Sequence, residues 1–154
     1  MIVEFEVLEQ EDIDLLLKTP LYVSILIAGA DGKIDKNELN EAISLSKIKQ
    51  TKARKELIEY YKEVGNHFED KLKVLINSLP SGHEQRNKFI SDELTKVGTI
   101  LTKIDNHFAK ELYVSLKDMA KKVAEASGGI LGYMSVGYEE SKFVDLKMIK
   151  DPSL

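Results

Sequence analysis

Asp31-Gly32-Lys33-Ile34-Asp35-Lys36-Asn37-Glu38 decides how this chain is read, because it is the back half of an EF-hand calcium loop without its front half. An EF-hand carries oxygen ligands at loop positions 1, 3 and 5, a turn-making glycine at 6 and a bidentate glutamate at 12. With Asp31 at position 5, Gly32 falls at 6, Ile34 at 8, Asp35 at 9 and Glu38 at 12. Positions 1 and 3 then fall on Ile27 and Gly29, which offer no side-chain oxygen. Either other parts of the chain complete a cation site, or the stretch is a helix–turn–helix. In the second case Gly32 turns the chain and Asp35 caps the next helix, while Glu38 closes a capping box and complements the helix dipole.

Outward from this stretch, helical periodicity dominates. Ile13, Leu16 and Leu17 follow an acidic opening at helix spacing, and Pro20 suits the first turn of a second helix carrying Leu21, Ile25 and Ala28. Asp35 opens a helix with Leu39, Ala42 and Ile43 on its buried face. Leu57, Tyr60, Tyr61 and Val64 mark the next, and Leu72, Leu75, Ile76 and Leu79 another, stopped by Pro80. Ser81 with Glu84 repeats the capping box before a long helix through Phe89, Leu94, Val97, Leu101 and Ile104. A further helix runs from about Asn106 to Ala126, and a last one begins near Gly137 and holds Phe143, Val144, Leu146 and Ile149. Ile2–Val7 alternates like a strand but has no partner to form a sheet. The fold class is all-α, with seven to eight helices in a single domain spanning residues 1–154: an acidic N-terminal extension at 1–19 and a core at 20–150.

Composition bounds the function. The chain has 154 residues, 43% of them hydrophobic, enough for one domain with a core. It has no cysteine, which excludes thiolate chemistry and fits a cytoplasmic setting. No basic segment precedes an apolar run at the N-terminus, so no signal peptide is expected. The longest apolar stretch, Leu21–Ala30, is too short to cross a bilayer. Glu4, Glu6, Glu9, Glu11, Asp12 and Asp14 make the opening acidic, whereas Lys47, Lys49, Lys52, Arg54 and Lys55 form a basic run without acids. That run lacks nearby aromatics for base stacking and reads as a solvated helix connection. With a net charge of −4, nucleic acid is not an expected partner.

The chain also echoes itself. Ser24–Gly32 and Val123–Ile130 each end an apolar helix in small residues and glycine, followed by Glu38 in one and Glu140 in the other. Asn66-His67-Phe68 with Leu72 and Val74 is matched by Asn106-His107-Phe108 with Leu112 and Val114. Ala28-Gly-Ala-Asp-Gly-Lys-Ile-Asp-Lys-Asn-Glu38 resembles the first helix–turn–helix signature of the tellurite-resistance TerB-like domains. Val123-Ala-Glu-Ala-Ser-Gly-Gly-Ile-Leu-Gly132, with Glu139 and Glu140 downstream, resembles their second, so the resemblance spans most of residues 20–150. It implies two pseudo-symmetric, interlocked four-helix units with an acidic metal-binding patch. It further implies a bacterial stress or tellurite-resistance role as a binding part of larger assemblies, including one associated with a membrane. The second signature has Ser127-Gly128-Gly129 and no counterpart of Asp31, so the two turns are not equivalent as cation sites.

Three functions follow as expectations. The first is a non-enzymatic, metal-modulated interaction module. Asp31, Asp35 and Glu38, completed by Glu139 and Glu140, would bind Ca²⁺ or Mg²⁺ weakly, while Tyr133, Met134 and Tyr138 contact a protein partner. The second is a structural helical adaptor or homodimer in which the acids only cap helices. The third, a metal-dependent hydrolase, has least support, because no nucleophile or general base accompanies the acids. Glu63 with His67 and His107 with Glu111 lie i,i+4, not at the Glu-x-x-His spacing of helical di-metal sites, and read as surface ion pairs. Gly128-Gly129-x-x-Gly132 follows a helix and not a strand, so it is not a dinucleotide fingerprint.

Overall fold

Thr19–Ala28 shows no helical periodicity, because every side of it is covered: each of its residues is buried. A helix that is apolar all round belongs in the middle of a fold. In the computed structural model, which describes residues 2–126 and 143–154, this run is the second half of α1 (Gln10–Ala28). Around α1 pack α2 (Lys36–Lys52), α3 (Ile58–Gly65), α4 (Phe68–Ser78), α5 (His83–Leu101) and α6 (Asn106–Glu125). The described residues are all-helical, with six α-helices and no strand.

Pro20 does not open a second helix; it lies inside α1. Proline has no N–H to donate to the carbonyl four residues back, which here is that of Leu16. The hydroxyl of Tyr60, itself buried on α3, donates to the Leu16 carbonyl at 2.7 Å and fills the gap. Thr19 and Ser24 hydroxyls donate back to the Leu15 and Pro20 carbonyls at 2.8 and 2.7 Å. A helix that looks broken in sequence is therefore continuous, and it runs across the expected boundary at residue 20.

The acidic opening is part of the fold. Val3–Phe5 forms a short 3₁₀ turn in place of strand-like alternation, and Phe5 is buried edge-on to Tyr60 and Phe108, with ring centroids 6.1 and 5.7 Å away. At the other end, residues 143–149 make turns where a helix was expected. Leu146 has a left-handed φ of 48°, which interrupts helical geometry, yet Leu146 and Ile149 are buried. This tail crosses α5 at Gly98, where a Cβ would come within 2.8 Å of the Lys150 nitrogen. The Ser81–Glu84 capping box does not form either: Gly82 is the N-cap of α5 and no side chain caps it. Asp105 does cap α6, accepting from the Phe108 N–H at 3.0 Å. The shorter echo holds for its apolar residues: Phe68, Leu72, Phe108 and Leu112 are buried, while Val74 and Val114 face outward. Asn66 and His67 precede α4, whereas Asn106 and His107 open α6. No helix of the described residues is long and apolar enough to cross a membrane.

Candidate functional site

The Asp31–Glu38 stretch is the turn between α1 and α2. Gly32 has φ 114°, a backbone state glycine adopts without strain. The Asp35 N–H donates to the Ala28 carbonyl at 2.9 Å, closing the turn, and the Asp35 carboxylate accepts from the Glu38 N–H at 3.0 Å. The cap read from sequence is therefore present. Asp31 is exposed, and Glu38 is buried in the first turn of α2.

Residues from α5 grip this turn, and no motif in the sequence marks them. Arg86 is only 6% exposed. Its Nη2 donates to the Gly29 carbonyl at 2.6 Å and the Gly32 carbonyl at 3.3 Å. Next to it, Asn87 Nδ2 donates to the Ala30 carbonyl at 3.1 Å. Burial lowers the Arg86 pKa, but a guanidinium keeps its charge. The His83 ring lies against Gly32, where a Cβ would sit 3.3 Å from Nδ1.

These contacts explain why loop positions 1 and 3 lack ligands. Ile27 is wholly buried in the core. Gly29 leaves room for the guanidinium: a Cβ there would come within 2.5 Å of Arg86 Nη2. A tethered cation thus occupies the inner side of the turn and takes up two of its carbonyl oxygens. Neither carbonyl is the one an EF-hand uses, which is that of position 7, here Lys33, but a calcium ion in this turn would stand beside a fixed positive charge. Among the described residues, no group of three or more His, Asp or Glu side chains is placed to hold a metal ion. Glu139, Glu140, Tyr133, Met134 and Tyr138 lie outside the described residues, so the expected completion of the cation site and the expected partner loop carry no geometry.

A second polar cluster lies in a groove of about 340 Å³ between the end of α2 and the middle of α6. Lys49 enters it from the basic run with its side chain 12% exposed. Its ammonium donates to Ser115 Oγ at 3.2 Å, lies 3.6 Å from Asp118 and sits 5.3 Å from the Tyr61 ring centroid. Tyr61 and Ser115 share a hydrogen bond of 2.6 Å. Burial pulls the Lys49 pKa down and the neighbouring carboxylate of Asp118 pushes it back up. A serine beside a lysine resembles a nucleophile with its base. Ser115, however, lies mid-helix, where backbone N–H groups are spent on the helix and none is left to hold an oxyanion. The cluster reads as a polar lock between α2, α3 and α6.

Of the histidine pairs expected at i,i+4, His107 and Glu111 each take a longer-range partner instead. His107 Nε2 lies 3.8 Å from Glu56, and Glu111 pairs with Arg54 at 3.1 Å. Compared with known proteins, the chain matches no family model, no curated protein and no solved structure.

Proposed function

We propose that this chain is a non-enzymatic, TerB-like helical interaction module in which the Asp31–Glu38 turn is a structural corner, not a calcium loop. One observation carries the choice between corner and loop: Arg86 donates to the Gly29 and Gly32 carbonyls from a buried position, at 2.6 and 3.3 Å. The paired signatures at Ala28–Glu38 and Val123–Gly132 support the TerB-like assignment and its arrangement of two interlocked four-helix units. They also support a role in stress or tellurite resistance as a binding part of a larger assembly, including one at a membrane.

A metal-modulated version of the same module is the second reading. It is favoured by the exposed Asp31 standing in the same turn as Asp35 and the buried Glu38. Thermal melting of the chain with millimolar Ca²⁺, Mg²⁺ and Mn²⁺ separates the two. The structural reading expects an unchanged midpoint. A rise that disappears in Asp31→Asn with Glu38→Gln would replace it with the metal-modulated reading. Metal-dependent turnover in a panel of hydrolase substrates would overturn the non-enzymatic part.

A further inference from the structure

We propose that this protein pairs with a second copy of itself, the acidic N-terminal segment of each copy lying over the basic end of α2 in the other. The inference is independent of the metal question. The basic run does not behave as one unit. Lys49 points inward and is tied to Ser115, whereas Lys47, Lys52, Arg54 and Lys55 are exposed. Among these bases two apolar side chains also face out, Ile48 at 52% and Val114 at 61% exposed. The N-terminal segment presents the opposite pattern. Val3 and Val7 are 67% and 73% exposed, with Glu6, Glu9 and Glu11 exposed beside them. Each surface offers two aliphatic side chains among exposed charges of mainly one sign, Glu111 and Asp118 in the basic groove being paired with Arg54 and Lys49, and the exposed signs are complementary.

The positions of the two surfaces suit a reciprocal pair. Phe5 pins the acidic segment against Phe108 in the first turn of α6. The basic groove meets the same helix at Glu111 and Ser115. Phe108 and Ser115 are about 10 Å apart along the axis at 1.5 Å per residue. Within one copy, Phe5 and Lys49 anchor the two patches side by side. A twofold axis passing between them sets acid on base twice and closes the assembly as a dimer. The apolar contribution is four small side chains per contact, so the interface belongs to the weak, salt-sensitive class.

Sedimentation equilibrium of the intact chain tests this. At about 100 μM chain and about 20 mM salt we expect a dimer. At about 0.5 M salt, where screening reaches within a few ångströms, we expect a monomer. Lys52→Glu with Lys55→Glu sets acid against acid, and Glu6→Lys with Glu9→Lys sets base against base, so each variant alone is expected to be monomeric. Their equimolar mixture restores both complementary contacts and is expected to dimerise. All four positions are exposed, and circular dichroism melts should match the unmodified chain. The salt series needs no variant at all. A monomer at low salt, a dimer that survives high salt, or a mixture that stays monomeric would each overturn the proposal. So would a monomer whose groove takes up a free acidic peptide, which would assign the surface to a different protein.

Discussion

The α1–α2 turn and the α2–α6 groove each enclose a basic side chain, and they satisfy it in different ways. Arg86 gives its hydrogen bonds to backbone carbonyls, those of Gly29 and Gly32. Lys49 gives its own to side chains, with Ser115 accepting and Asp118 nearby. A carbonyl in a closed turn cannot rotate towards a new partner: without Arg86, Gly29 keeps only the Gly32 N–H at 3.0 Å and loses its charged donor. A hydroxyl or carboxylate can turn to another partner, and Asp118 already has one in Lys122 at 3.1 Å. The neighbouring tyrosines of α3 repeat the contrast: Tyr60 donates to the Leu16 carbonyl and Tyr61 shares a hydrogen bond with the Ser115 hydroxyl. Donors spent on backbone set the shape of the fold, whereas donors spent on side chains adjust a surface.

Four substitutions press on that difference, beginning with the largest expected effect. Arg86→Met should cost about 3 kcal/mol in urea unfolding, since two turn carbonyls lose a charged donor. A loss under about 1 kcal/mol would mean that the turn holds itself. Tyr60→Phe should cost about 2 kcal/mol, because Pro20 cannot replace the lost donor to Leu16. Its neighbour change, Tyr61→Phe, should cost less than about 1 kcal/mol, since Lys49 still donates to Ser115. Equal losses at the two tyrosines would erase the distinction between backbone and side-chain partners. Asp35→Ala should cost about 1 kcal/mol, the ordinary value of a helix N-cap. The cost should be the same with and without added calcium.

Lys49→Met should change stability least, and its signature is in the pH dependence. Burial lowers the Lys49 pKa below its ordinary value of 10.5, so between the folded and unfolded values the unfolded chain holds a proton that the folded chain has released. Stability therefore rises with pH through that window, and the substitution should flatten the rise. Above pH 10 the sign reverses. Tyr60 and Tyr61 are held neutral by burial while the unfolded chain ionises them, from an ordinary value of 10.0, so stability falls as pH increases. Urea midpoints measured from neutral pH upward, with and without each substitution, separate these contributions.

The all-helical class was legible because Leu39, Ala42, Leu94, Val97, Leu112 and Leu116 recur at helical spacing on one face of each helix. The Asp35 cap was legible because a cap depends only on residues three apart. Pro20 misled for the opposite reason: its compensation comes from Tyr60, forty-four residues from the Leu16 carbonyl it serves. Leu146 also misled, since an apolar repeat indicates burial but cannot show that the chain passes through a left-handed turn. At the candidate site Asp31, Asp35 and Glu38 were visible as a pattern, while Arg86 and Asn87 looked like ordinary polar residues of an amphipathic helix. The one sequence signal for Arg86 was indirect. Gly29 stood where a calcium loop wants an oxygen ligand, and the missing side chain marks the space the guanidinium fills.

By itself, then, the sequence determined the all-helical class, the Asp35 cap and the separation of acidic from basic segments, because each depends on residues close together along the chain. Only the tertiary structure decided that α1 runs unbroken through Pro20, that the half calcium loop closes around Arg86, and that Lys49 leaves its basic run for the interior. Those outcomes depend on which distant donor reaches which buried acceptor, and no local spacing encodes that pairing.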